Sequence, residues 1–178
     1  MTEKEKQAVT AKLGTIFQSR GKYDKAIEYL ERALATKKEI GDRAGEADCY
    51  GNLGTVFRSR AEYDKAKEYL EKALAIKIEI GDRAGEASCY GSLGTVFMSL
   101  GEYYKAIEYI EKALAIRFEI GDRKNEVSRY GNLGTVFMSL ADYANAKEYL
   151  EKALAIAIEI GDRENEGSCY GNLGVVLM

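Results

Sequence analysis

Tyr50-Gly51-Asn52-Leu53-Gly54-Thr55-Val56-Phe57 returns as Tyr90 to Phe97, as Tyr130 to Phe137 and, in part, as Tyr170 to Leu177. The spacing is 40 residues with no insertion or deletion. A fixed period of this length is the signature of a repeat architecture, so it governs the reading of everything around it. A second block, Tyr69-Leu70-Glu71-Lys72-Ala73-Leu74-Ala75-Ile76, keeps the same period at Tyr109 to Ile116 and Tyr149 to Ile156, with Tyr29 to Thr36 as a looser copy.

Working outward from the first block, Ala47, Tyr50, Leu53, Gly54 and Phe57 recur at intervals of three and four, which puts them on one face of a helix, helix A. Tyr63, Ala66, Tyr69, Leu70, Ala73 and Leu74 make a second such face, helix B, supported by Glu68 and Lys72 at i, i+4. The same pairing recurs at Glu28 and Arg32, Glu108 and Lys112, and Glu148 and Lys152. Gly41, Gly81, Gly121 and Gly161 each follow an Ile and suit a left-handed helix stop, and the next residue, Asp42, Asp82, Asp122 or Asp162, can cap the following helix A. A shorter connection falls near Gly21, Ala61, Gly101 and Ala141. Ile76-Lys77-Ile78-Glu79-Ile80 alternates as a strand does, but it continues a helical face directly and an array of helix pairs offers it no sheet partner.

At 178 residues, 46% of them apolar, the chain can bury a continuous core. Its 26 basic and 29 acidic residues are interleaved, for a net charge of -3. That balance argues against a nucleic acid partner, since phosphate-backbone binding rests on clustered Lys and Arg. The absence of His removes the commonest general base and the commonest metal ligand. No apolar run approaches the ~20 residues of a membrane span, and Met1 to Ala11 is too polar for a signal peptide, so the expectation is a cytoplasmic, reducing setting with no membrane contact.

Tyr50-x2-Leu53-Gly54-x2-Phe57, followed by Ala66-x3-Leu70 and Ala73, resembles the tetratricopeptide repeat signature over essentially the whole chain. The unit is longer than the roughly 34 residues usual for that family, and Ile78, Phe118 or Ile158 stands where its Pro is expected. In length, and in the Gly-Asn-Leu-Gly and Ile-Gly-Asp-Arg blocks, it is similar to the LGN/Pins type of scaffold. HEAT repeats, the alternative, share the length but not the signature columns. The resemblance implies an all-α, right-handed α-solenoid, a superhelix of antiparallel helix pairs. The register divides one solenoid, 1–178, into repeats at 2–41, 42–81, 82–121 and 122–161, with an unpaired helix A at 162–178.

In this family helix A lines the concave surface, which implies a groove here built from four columns. These are Asp48, Ser88, Ser128 and Ser168; Asn52, Ser92, Asn132 and Asn172; Thr15, Thr55, Thr95 and Thr135; and Gln18, Arg58, Met98 and Met138. LGN-type relatives hold acidic peptides with Arg and Asn from helix A, but Asp48 or Ser stands in the column of that Arg, so a strongly acidic tail is not the expected ligand. Asn52, Asn132 and Asn172 can serve both donor and acceptor of an extended main chain. Gly51, Gly91, Gly131 and Gly171 lie mid-helix, where each costs ~1 kcal/mol relative to Ala. Either neighbouring helices need the space, or the inner surface is kept shallow so that a ligand backbone can approach. Gly54, Gly94, Gly134 and Gly174 read as sites of close helix packing.

Little else points to chemistry. Cys49, Cys89 and Cys169 share one column, where Arg129 replaces the fourth, and stacked repeats lie on the order of 10 Å apart, too far to converge on a metal or form a disulfide. Gly51-x-x-Gly54 and Gly41-x3-Gly45 neither follow a strand nor carry the Gly-Lys-Ser/Thr ending of a phosphate loop. Tyr50, Tyr90, Tyr130 and Tyr170 lie on the apolar face and read as core. Glu71 and Glu79, interleaved with Lys72 and Lys77, read as a solvated helix face. No catalytic residue, cofactor or metal is expected.

The expected function is therefore a protein-interaction scaffold holding an extended or helical peptide. The alternative is a structural or self-assembling array without a selective site, which the near-identity of the inner columns favours. Tyr170, Leu173, Val176 and Leu177 would form an apolar patch on a helix A that lacks its helix B, and a homodimer through that end is the expected consequence. The first helix, with Glu3, Lys4, Glu5, Lys6, Gln7 and Lys12, reads as a polar cap.

Overall fold

The computed structural model describes residues 22–178. The polar first helix, Thr15, Gln18 and the turn at Gly21 lie outside the described residues. Eight helices follow one another among the described residues: α1 (Tyr23–Glu39), α2 (Arg43–Ser59), α3 (Tyr63–Glu79), α4 (Arg83–Ser99), α5 (Tyr103–Glu119), α6 (Arg123–Ser139), α7 (Tyr143–Ile160) and α8 (Arg163–Val176). No strand occurs among them, and the alternating Ile76–Ile80 segment is the last turn of α3 and its cap. None of these helices is long and apolar enough to cross a membrane. The described residues pack as two compact units, and the division falls between Ser92 and Leu93, within α4.

Each helix pair is ended by the backbone before side chains contribute. At the close of α3 the Gly81 N–H donates to the Ile78 carbonyl (3.1 Å) and the Asp82 N–H to the Lys77 carbonyl (2.9 Å), with Gly81 at φ +71°. This doubled bond with a left-handed residue is the Schellman ending, which satisfies carbonyls that a helix terminus would otherwise orphan. The Asp82 carboxylate then accepts the Gly85 N–H (2.8 Å) and caps α4. Asp42, Asp122 and Asp162 do the same for α2, α6 and α8. The shorter turns are left-handed as well, but two of them use alanine: Ala61 (φ 59°) and Ala141 (φ 57°).

In the first unit Ala47, Tyr50, Ala73, Ile76 and Cys89 form one buried cluster. In the second, Val127, Ala153, Ile156, Ala157 and Cys169 form another. Phe57 stacks on Tyr69 with ring centroids 5.2 Å apart, and Phe137 stacks on Tyr149 at 5.3 Å. Gly54, Gly94 and Gly134 are packing sites as expected, for a Cβ there would lie 2.6 Å from Leu70, Ile110 and Leu150 respectively. Gly174 has nothing within 4 Å. Ion pairs spanning 36 residues clasp the outer ends of helices: Arg43 with Glu79, Arg123 with Glu159 (2.7 Å) and Arg60 with Asp24. The i, i+4 pairs read from the sequence are formed at Glu68–Lys72, Glu108–Lys112 and Glu148–Lys152 (2.6 Å each) and at Glu28–Arg32 (2.8 Å).

Candidate functional site: a polar groove on the first helices of the pairs

In the first unit, α2 and the Arg83–Ser92 part of α4 line an open groove of about 390 Å³. Asp48, Asn52, Thr55, Ser88 and Ser92 all face it, joined by Ala47, Gly51, Leu70, Lys77, Gly85 and Cys89. Five of the expected lining residues are thus brought together. Arg58 is half-buried and does not line the groove. In the second unit Thr95, Met98, Ser128, Asn132 and Met138 are half-buried and Thr135 is exposed, while Asn172 is half-buried on α8.

The floor is shallow because it lacks side chains. A Cβ on Gly51, Gly131 or Gly171 would meet nothing within 4 Å, so no neighbouring helix needs the space at these positions, and the packing account of that column fails there. The Gly51 carbonyl accepts the Thr55 hydroxyl (3.1 Å), and Gly131 accepts Thr135 in the same way. Asn52, Ser92 and Asn132 make no side-chain hydrogen bond among the described residues, so their groups are unspent.

Lys77 departs from its expected place on a solvated face. Only 9% of it is exposed, and its ammonium donates to Asp48 (2.7 Å) and Asp82 (2.8 Å) at the edge of the groove. Burial alone would lower its pKa, but the hydrogen bonds and charges of the two carboxylates outweigh that and hold it above the usual lysine value. Lys37 makes the corresponding bond to Asp42 (2.6 Å), and Arg117 to Asp122 (2.6 Å). A cation at positions 37, 77 and 117 was visible as a column, but its partners lie on other helices or across a turn.

Cys49, Cys89 and Cys169 are free and buried. Burial pushes the first two thiols up to about 11, so they remain protonated and inert near neutral pH. Arg129, which takes their place in α6, is half-buried and forms no hydrogen bond or ion pair with any described residue.

The expected apolar patch on α8 is altered. Leu173 is buried and Val176 half-buried, whereas Tyr170 (55%) and Leu177 (68%) are exposed together with Val175 and Met178. The core reading of the tyrosine column holds for Tyr50 and fails at Tyr170.

Paired helices at a fixed period, bearing a shallow groove of small polar groups, define a helical-repeat protein of the kind that generally mediates protein–protein interaction. The tetratricopeptide repeat family model matches residues 6–79, 62–119 and 126–177, and the chain belongs to that family. No curated protein sequence matches it significantly. Among solved structures it is similar to BtubC (BKLC) from P. vanneervenii, at 26% identity and a TM-score of 0.83, over 92% of this chain and 68% of that one. It also resembles the nearly identical TPR-like repeats of a putative kinesin light chain from Podosopora anserina (18% identity, TM-score 0.80, 99% and 87% of the chains). Aspartyl phosphate phosphatase F from Bacillus subtilis shares the fold at a TM-score of 0.94 and 18% identity, over 99% of this chain and 46% of its own.

Proposed function

We propose that this chain is a non-catalytic scaffold that holds an extended peptide segment in the α2–α4 groove. The observation that carries the reading is the pairing of unspent hydrogen-bonding groups at Asn52 and Ser92 with the bare backbone at Gly51. An amide side chain offers a donor and an acceptor to a peptide main chain, and a glycine floor lets that main chain come close. Asp48 is occupied by Lys77, so this part of the groove selects by shape and main-chain bonding more than by charge. The same columns continue in the second unit as Ser128, Asn132 and Thr135, and on α8 as Asn172. Three unpaired thiols fit a reducing compartment.

The test is a peptide array probed with the purified chain, followed by titration of the tightest peptide. Asn52→Ala combined with Asn132→Ala should weaken it about tenfold or more, equivalent to one or two lost hydrogen bonds. Unchanged affinity in the double variant would remove the groove from consideration.

A second reading, self-association through α8, is favoured by the exposure of Tyr170, Val175 and Leu177. Light scattering at about 100 µM should show a dimer, which Tyr170→Lys with Leu177→Lys abolishes, since even a contact of roughly -6 kcal/mol is substantially populated there. A strict monomer would reject it.

A further inference from the structure

We propose that the outer face of α5 is a second docking surface, which takes a basic amphipathic helix with Lys or Arg along its middle and an apolar side chain toward each end. The surface belongs to a single helix of the second unit and does not depend on the α2–α4 groove.

Tyr104, Glu108, Glu111, Ala115 and Phe118 recur at intervals of four and three, so they share one face of α5, and all five are exposed. The opposite face, with Ala106, Ile110, Ala113 and Ile116, is buried. Two aromatic side chains therefore stand in solvent on one helix, Tyr104 80% exposed and Phe118 74%, about 21 Å apart along its axis. Rings of this size contribute most when a core or an interface covers them. Around Tyr104, Gly101, Glu102, Tyr103 and Lys105 complete an open cavity of about 300 Å³, which has room for an aliphatic side chain. The other repeats do not build this face. The Tyr104 column holds Asp24, Asp64 and Ala144, and the Phe118 column holds Lys38, Ile78 and Ile158. In so uniform an array, unlike groups at one place are what a selective surface requires.

The charge at the centre of the face selects its occupant. Lys112 is bonded to Glu108 (2.6 Å) and Lys105 to Glu102, whereas Glu111 forms no hydrogen bond or ion pair with a described residue. A second copy of the chain is a poor match. Docked about a two-fold axis, the antiparallel arrangement that sets Tyr104 against Phe118 at both ends also sets Glu111 against Glu111, because that residue lies midway between them. Like charges brought together there oppose the pairing. A helix with Lys or Arg at its centre turns the same carboxylate into an attraction, and its apolar ends cover the two rings. Ala115, the one small side chain of the face, lets the partner helix approach closely.

The probe is a labelled, alanine-based helical peptide of about 18 residues, with Leu near each end and Lys in the turns between, titrated with the full chain by fluorescence anisotropy. The expected result is saturable binding that weakens about tenfold or more in Tyr104→Ala and in Phe118→Ala. Both positions are exposed, and Ala already stands in the first column at Ala144, so the variants should keep the circular dichroism of the parent. A peptide with Glu in place of Lys should not bind the parent chain but should bind Glu111→Lys, an exchange that a purely structural role for Glu111 does not produce. No saturation up to about 1 mM peptide, or equal binding of the Lys and Glu peptides to the parent chain, would overturn the proposal. So would a dimer of the parent chain that Tyr104→Ala dissolves, which would assign the face to a second copy. Asn52→Ala, and Tyr170→Lys with Leu177→Lys, should leave peptide binding unchanged, so this face, the groove and the α8 contact are read separately.

Discussion

Lys77 Nζ lies 2.7 Å from Asp48 Oδ1, joining the last turn of α3 to the first turns of α2 across 29 residues of sequence. The two partners contribute unequally, because the Asp48 side chain is 64% exposed and the lysine is buried. Lys77→Met should cost about 1 to 3 kcal/mol, since it strands the Asp82 cap and the buried edge of Asp48 together. Asp48→Ala should cost no more than about 1 kcal/mol, the range of exposed ion pairs. Urea denaturation of the two variants checks the order; equal losses would place the anchor on Asp48 instead.

Two glycines in α6, three residues apart, should respond to alanine with opposite signs. At Gly131 a methyl group meets nothing within 4 Å, so Gly131→Ala should stabilise the free chain by about 0.5 to 1 kcal/mol through helix propensity. At Gly134 the same methyl would press to 2.6 Å from Leu150 Cγ, and Gly134→Ala should destabilise by about 1 to 3 kcal/mol. Thermal or chemical denaturation separates them. If Gly131→Ala also weakens a bound peptide, the shallow floor is confirmed as a contact surface.

The short turns carry a correctable strain. Ala61 and Ala141 sit at φ 59° and 57°, where Gly101 occupies the equivalent position at φ 74°. A left-handed non-glycine residue costs roughly 1 to 2 kcal/mol, partly offset by the lower unfolded-state entropy of alanine. Ala61→Gly and Ala141→Gly should each raise stability by up to about 1 kcal/mol, and Gly101→Ala should lower it by a similar amount. A fall in midpoint on both alanine replacements would mean that the turns are not under strain.

Stability should decline in alkali. The buried thiols of Cys49 and Cys89 titrate near 11 in the fold and lower, near ~8.5, when unfolded, so between those values the unfolded chain binds fewer protons and unfolding gains free energy as pH rises. Lys77, also raised, acts in the same direction at higher pH. The urea midpoint should be flat from about pH 7 to 8 and fall from about pH 9 to 11. Cys49→Ala with Cys89→Ala should flatten the fall; an unchanged slope would assign it elsewhere.

The fold was open to reading because every signal for it is local or periodic: the spacing of Tyr50, Leu53, Gly54 and Phe57, the Gly81-Asp82 stop and cap, and the 40-residue return of both. The site was less open. Along α3, Lys77 sits among Glu71, Lys72 and Glu79 and reads as one more solvated charge, because Asp48 is brought to it only by tertiary packing. Arg129 is visible as an odd member of a cysteine column, but that its Nε is buried without a hydrogen-bond partner shows only in the packed structure. The Gly51 column posed a choice that only the space around it could decide. The column of Leu173 alone places it on an apolar patch, and only the packed structure shows that it is buried.

Gly54, Gly94 and Gly134 are sockets, each filled by a Leu or Ile from the partner helix, and Gly174 is the same socket left empty. A helix with fewer buried contacts opens at less free energy than one with more. Among the described helices that carry this glycine, α8 is the one whose glycine meets no side chain, so its amides should exchange faster than those of α2, α4 and α6. A protease or an unfolding machine that engages α8 meets an open seam, whereas at α2, α4 or α6 it meets interlocked sockets.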